Sequence, residues 1–270
     1  MRRMSGVVAS ALLATVGCGP VDAGSAFAEQ FEPYLASNEA VETFTVYGDN
    51  TLPWTGGADV DVTMVAGLSD EELVEEVWAI THHEVEHQIG YSLVIRFPSV
   101  AGDGAPATTS LSLSVDEPAP DDGRAREQIA ERVRLGRDVA ALGRGPTTFE
   151  VGSWDATLTT DADPVATATA LDRLIDETGD EWSQHLTVAS GPAILPDGSV
   201  EFAAGETGGA LAELRTVLDA AAALGPVESW TADVTHGQPT TLNVVYATRP
   251  ADLVPLTTLA AENDVALTVV

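Results

Sequence analysis

Lysine is absent from this chain of 270 residues, and all twelve of its basic residues are arginine. Without lysine there is no Schiff base, no Ser-x-x-Lys nucleophile and no phosphate-binding Walker loop. There is one cysteine, Cys18, which excludes an intramolecular disulfide, a cysteine-based zinc knuckle and a cysteine nucleophile downstream of it. No Gly-x-Ser-x-Gly elbow occurs. Positive charge is scarce against 42 acidic residues, giving a net charge of −30. Such a chain is repelled by nucleic acid and by anionic lipid head groups.

The beginning of the chain reads MRRMSGVVASALLATVGCGP. Arg2 and Arg3 make a short positive region, Ser5 to Val16 an apolar run too short to span a bilayer, and Gly17 a small residue where a signal peptide is cut. With Leu12 and Leu13 upstream, the run ending in Gly17-Cys18 resembles a bacterial lipoprotein signal. Thr15 stands where that family has leucine. The resemblance implies removal of residues 1–17, lipidation of Cys18 with palmitate-type chains, and anchoring to the outer face of the cell membrane. The exported chain then keeps ten arginines against 42 acidic residues, a net charge of −32.

Beyond a linker over 18–24, the apolar pattern alternates between the two-residue period of strands and the 3.6-residue period of helices. It predicts a helix over 25–38 and a strand over 40–47, with a turn at Gly48-Asp49-Asn50. Strand 59–65 follows, then a helix capped by Ser69 and Glu72 and running to Gly90. Strands 91–97 and 109–115, helix 123–142 and strand 147–151 complete a β-α-β-β-α-β unit. A second unit has strand 154–160, helix 164–177, strands 182–189 and 199–204, helix 209–224 and strand 227–235. A last β-α-β covers 240–248, 250–263 and 265–270. The expected class is α+β: tandem ferredoxin-like sandwiches at 58–152 and 153–236, each an antiparallel sheet with helices on one face. The pieces 25–57 and 237–270 either pair into a third composite unit or extend the flanking sheets. The phrases EVGSWDATL and PVESWTADV suggest duplication.

One motif carries chemistry. His83-Glu84-Val85-Glu86-His87 is an H-E-x-x-H, which on a helix puts two imidazoles on one face with a glutamate beside the metal-bound water. The following x-x-Gly matches the metzincin turn, but position 93 is Leu where that family has its third ligand, and a catalytic zinc needs three protein ligands. Glu127 or Glu131 could serve as a later third ligand. At 100° per residue the apolar stripe of this helix is Leu73, Val74, Val77, Ile80, Thr81 and Val85, which leaves His82, His83, Glu86 and His87 facing outward. The preferred reading is a solvated face. The alternatives are a zinc hydrolase with Glu84 as base and His83 and His87 as ligands, or a surface that weakly binds divalent cations.

Six arginines (Arg124, Arg126, Arg132, Arg134, Arg137 and Arg144) lie in or just after one helix, and the acidic helix from Asp70 is their expected neighbour. A docking surface for an anionic wall polymer is the alternative. Trp154, Trp182 and Trp230 sit at strand starts, where they are expected to cap the core. In signal and pattern, including VETFTVYGDNTLPWTGGADVDVTMVAGLSDEE over residues 41–72, the chain resembles envelope lipoproteins of the actinobacterial type. That resemblance brings no known activity with it; the expected function is a non-enzymatic, lipid-anchored extracytoplasmic module that binds or scaffolds an envelope protein or wall component, without cofactor and, given the acidic charge, without nucleic acid.

Overall fold

A computed structural model describes residues 23–52, 55–86, 89–115, 123–152, 155–178, 185–192, 196–205, 207–234 and 238–270. The signal segment, Cys18, His87, Trp54, Trp154, Trp182 and His236 lie outside the described residues. In chain order the elements are α1 (Ala23–Ser37), β1 (Val41–Leu52), β2 (Thr55–Met64), α2 (Asp70–Thr81), β3 (Tyr91–Val100) and β4 (Pro106–Val115). Then come α3 (Gly123–Ala140), β5 (Thr147–Val151), β6 (Asp155–Thr160), α4 (Pro164–Thr178), β7 (His185–Ser190) and β8 (Asp197–Phe202). The chain continues with α5 (Ala210–Leu224), β9 (Val227–Val234), β10 (Thr240–Tyr246), α6 (Val254–Glu262) and β11 (Val265–Val269).

The eleven strands of the described residues form one mixed sheet, in the order in which they occur along the chain. Hairpins alternate with crossovers: β1–β2, β3–β4, β5–β6, β7–β8 and β9–β10 are antiparallel, and a helix joins each hairpin to the next strand, which lies parallel beside it. The strands are half-buried ribbons, as their alternating sequences require. Val60, Leu93, Ile95, Leu111, Phe149, Leu158, Val188, Val200, Ala232 and Leu242 all point to one face. The apolar sides of α1 to α6 join the same core there, from Phe27 and Phe31 of α1 to Leu256 and Ala260 of α6. Among the described residues, nothing covers the opposite face of the sheet.

The α+β class is as the periodicity predicts. The strand order is not that of tandem ferredoxin-like units, and the difference is geometric. A ferredoxin-like unit is a split βαβ, in which a later strand inserts between the two strands that a helix connects. Its second crossover then runs back across the sheet, so both crossovers can be right-handed with both helices on one face. Here every crossover joins immediate neighbours and the chain advances in one direction. Strand direction reverses after each hairpin while the helices stay on one face, so successive crossovers alternate in hand. Right-handedness is the strong general preference for such connections, and this fold departs from it at every second helix.

Three further expectations change with the order. The step from 152 to 155 is the β5–β6 hairpin inside the sheet, not a joint between sandwiches. Pairing of 25–57 with 237–270 is ruled out, because β1 and β11 are the two opposite edges, and the other expected placement, extension of the sheet at each end, is the one observed. The two tryptophan phrases fall at inequivalent places, one across the β5–β6 hairpin and the other within β9, so they do not mark a structural repeat. The turn expected at Gly48 is likewise absent. β1 runs on to Leu52, and Gly48 is the point where α1 closes on the sheet: a Cβ there would lie 2.4 Å from the Gly24 carbonyl.

The order is directly testable. Asp61 and Val94 are register partners on β2 and β3. In a ferredoxin-like unit β4 would separate them by two strand spacings, about 10 Å. Asp61→Cys/Val94→Cys, placed in a Cys18→Ser background, is expected to oxidise to an intramolecular disulfide, read by mass spectrometry of the peptides. A pair that stays reduced under mild oxidant would contradict the neighbour relation.

Candidate functional site

Two regions concern function: the segment that follows α2, where the histidine motif lies, and the uncovered face of the sheet.

α2 begins as its sequence dictates. The Ser69 hydroxyl accepts the Glu72 N–H, and the Ser69 N–H donates to the Glu72 carboxylate at 2.8 Å. This is a reciprocal capping box, and those hydrogen bonds hold the Glu72 carboxyl below the ordinary glutamate range. The far end differs from expectation: α2 stops at Thr81 instead of continuing to Gly90. Side chains capture its last carbonyls. The Trp78 carbonyl accepts from the Thr81 hydroxyl at 3.0 Å and lies 3.0 Å from His82 Nδ1, whose ring stacks on Trp78. The Ile80 carbonyl accepts from Tyr91 Oη at 3.1 Å. Beyond the helix, Gln30 of α1 accepts the Glu86 N–H at 2.7 Å and holds the strand-bound segment against α1.

His83 and Glu84 therefore lie in non-helical chain, and the i, i+4 placement that gives H-E-x-x-H its meaning is not formed there. Nor do the described histidines face outward as expected. The His83 ring stacks face to face on Tyr34, with centroids 3.6 Å apart and planes 7° from parallel, and its edge approaches Phe31. Burial pushes the His83 pKa below its ordinary 6.5. Burial also pushes the Tyr34 hydroxyl above its usual range, assisted by the charge of Glu76. Glu84 is exposed. His87, the other proposed ligand, lies outside the described residues.

The proposed third ligands are elsewhere. Glu127 and Glu131 line a groove between α2 and α3 together with Asp70, Glu71 and Glu75. Asp70, Glu71 and Glu75 occupy the first half of α2, and six positions of rise put Glu75 about 9 Å from the end of the helix at Thr81, beyond which His83 lies. The groove is instead where the two charged helices pair: Arg126 bridges Glu75, and Arg137 meets Asp70 at 2.7 Å. The Arg137 guanidinium also donates to the Leu68 carbonyl and covers the Phe97 ring. The opposite charges expected on neighbouring helices are thus joined. Of the tryptophans expected to cap the core, Trp230 is 7% exposed, and a Cβ on its register partner Gly198 would lie 2.2 Å from its ring.

The second region escaped the search for motifs. On the uncovered face, register places one row of side chains across the whole sheet: Thr43, Thr63, Arg96, Ser110, Glu150, Thr157, Thr187, Glu201, Asp233, Thr241 and Ala266, one from each strand. The adjacent row from β4 onward is Thr108, Thr148, Thr159, Ala189, Ser199, Thr231, Asn243 and Thr268. Hydroxyls dominate both rows. Arg96 is the single cation on this face among the described residues, and it is tied to Asp61 at 3.0 Å. His185 lies 3.6 Å from Glu201 on the same face. At about 4.8 Å per strand the sheet spans roughly 50 Å. The signal for this surface was present in the sequence: most strands alternate apolar residues with Thr, Ser, Asp or Glu.

No described helix is long and apolar enough to cross a membrane. Among the described residues, no group of three or more His, Cys, Asp and Glu side chains is arranged to hold a metal ion. No family model, curated protein or solved structure matches the chain.

The half-buried imidazole of His83 sets a pH dependence. With its folded pKa below the unfolded value of about 6.5, neutral His83 contributes stability that is present above pH 6.5 and lost as pH falls through the folded pKa. His83→Phe keeps a flat ring on Tyr34 without a proton to gain. Urea unfolding between pH 7.5 and 5 is expected to show a smaller loss of stability on acidification in the variant than in wild type. Parallel curves would show that His83 is solvated.

Proposed function

We propose that this protein is a lipid-anchored extracytoplasmic module of the envelope, tethered through Cys18, that binds or scaffolds an envelope component on the uncovered face of its sheet. The observation that carries this reading is that face: eleven strands wide and lined with hydroxyl and carboxylate side chains in register. Hydroxyl rows present donors and acceptors at regular spacing and suit an extended polar partner such as a wall polymer. The chain's arginines, by contrast, sit mainly on the helical side, where Arg126, Arg137 and Arg215 are engaged by acidic neighbours. This leaves the uncovered face the more natural contact surface.

The position of the anchor fits the same reading. Cys18 precedes the first residue of α1 by five positions, and α1 packs on β1 and β2. A lipid at Cys18 tethers the β1 end of the sheet and leaves its width free to face the envelope.

Two measurements test the proposal. Cys18→Ser is expected to abolish incorporation of labelled palmitate and to move the protein from the membrane to the soluble fraction; unchanged membrane retention would defeat the anchor. Thr157→Arg/Thr187→Arg/Thr231→Arg on the uncovered face is expected to weaken sedimentation with isolated wall polymer by at least about tenfold, roughly 1.4 kcal/mol. The helix-side control Glu213→Arg/Thr216→Arg/Glu262→Arg should leave it within twofold. Equal effects from the two triples would remove the face from the reading.

A further inference from the structure

The two edges of the sheet are protected to different degrees. β1 is interrupted by register irregularities at both ends, between Val41 and Thr43 and between Asp49 and Leu52, and it carries Glu42 and Asp49. Irregular register and charge are the usual devices that prevent an edge from pairing with another chain. β11 has neither. Its sequence, Val265-Ala266-Leu267-Thr268-Val269, contains no charge, no proline and no bulge, and among the described residues it pairs only with β10. The helix above it, α6, carries one charged residue, Glu262, in its nine. Val254 at the start of α6 and Val270 after β11 are 68% and 65% exposed.

The backbone of β11 is also oriented for pairing. The Val270 N–H donates to the Val244 carbonyl, and the Val270 carbonyl accepts from the Tyr246 N–H. In a parallel ladder each residue turns both groups to the same side, and successive residues alternate. Ala266 and Thr268 therefore bond to β10, while Val265, Leu267 and Val269 turn their N–H and C=O toward the free edge. On the helical side, Leu267 and Val269 are only half-buried.

We infer that β11 is a homodimerisation edge: two copies of this chain pair their β11 strands antiparallel about a two-fold axis through Leu267, normal to the sheet. Leu267 then faces its symmetry mate as a hydrogen-bonded pair, Val265 faces Val269, and Ala266 faces Thr268. The geometry extends to the second layer. One helix covers every two strands, so helices repeat at about 10 Å, close to the 8–10 Å at which helices pack. A two-fold axis at β11 sets α6 beside its mate at that same interval. The helix layer continues across the junction with α6, the helix whose neighbouring side is unoccupied. β11 itself is uncharged, and with only Glu262 on α6 and Asp264 in the turn between them, two strongly acidic molecules oppose few charges there.

The test uses the full chain with Cys18→Ser, followed by sedimentation equilibrium. The expected species is a dimer and nothing larger, and its association tightens with added salt because screening relieves the like-charge repulsion of the two bodies. Ala266 and Thr268 are exposed on the uncovered face, so charges there do not disturb the monomer fold. Ala266→Glu/Thr268→Glu opposes carboxylates across the axis and is expected to weaken dimerisation at least tenfold. Ala266→Lys/Thr268→Glu creates complementary pairs and should restore it. Leu267→Cys should oxidise to a covalent dimer, since the paired Cα atoms lie about 5.5 Å apart. A monomer at all concentrations, a dimer indifferent to both charge variants, or chains growing beyond two copies would each overturn the inference.

Discussion

Two β-strands occupy about 10 Å of sheet width, and one packed helix occupies nearly the same. The structure depends on that equality. A hairpin followed by a helix is the smallest unit in which the sheet and its cover advance at the same rate. Repeating it from β1 to β11 keeps the buried face covered without a gap and without crowding. The inward residues are accordingly mostly aliphatic or aromatic across the width, from Val60 through Leu158 to Val244, with Thr109, Thr147, Thr160, Ser190 and Thr240 buried among them. Because each unit leans on its neighbours, the core is continuous, and no unit has the closed boundary of a separate sandwich.

That constraint explains what could be read in the sequence and what could not. Periodicity is local, and it gave the type of every element from α1 to β11, with bounds close for most but five residues short at the end of β1 and nine too long at the end of α2. Capping at Ser69 and Glu72 is local as well, and it stands as expected. Strand order is not local. A β-α-β-β-α-β string fits a sheet whose second crossover returns and one whose second crossover advances, and no residue within the string distinguishes them. The preference for right-handed crossovers favours the return. The advance observed here depends on the next hairpin being present to continue the sheet.

The end of α2 shows the same limit on a smaller scale. Gly90 looks like the stop, and the stripe through Val85 looks like a continuing helix. The helix instead ends nine residues earlier, because Gln30 in α1 and Tyr91 in β3 compete for the backbone of that turn and its approach. Both partners are distant from the turn or follow it, so a helical wheel drawn from 70 to 90 could not include them. His83 therefore belongs with Tyr34 and Phe31 in the packing between α1 and α2. The motif letters remain, but the geometry that would make them a zinc signature requires a helix the described chain does not form. The candidate surface was legible in a different form, as Thr and Ser at alternate positions in strand after strand. It carried no motif, since its meaning arises only when register sets those residues side by side.

An open sheet that advances in one direction has two ends, and closure cannot remove them as it does in a barrel. Repeat architectures meet this with terminal units whose outer side differs from the interior ones. At the β1 end the chain does so: α1 precedes the first hairpin, Gly48 and Gly24 allow close contact, and the edge strand is irregular and acidic. At the β11 end the final unit keeps an interior character, with an uncharged strand, a nearly uncharged helix and half-buried leucine and valine on the free side. The difference also bears on the negative charge of the whole chain. Repulsion between molecules keeps most of their surfaces apart, so the surface with the least charge is where two copies can approach at the lowest electrostatic cost. Acidic composition and the bare edge then act together: the first discourages indiscriminate association, and the second leaves one geometry open.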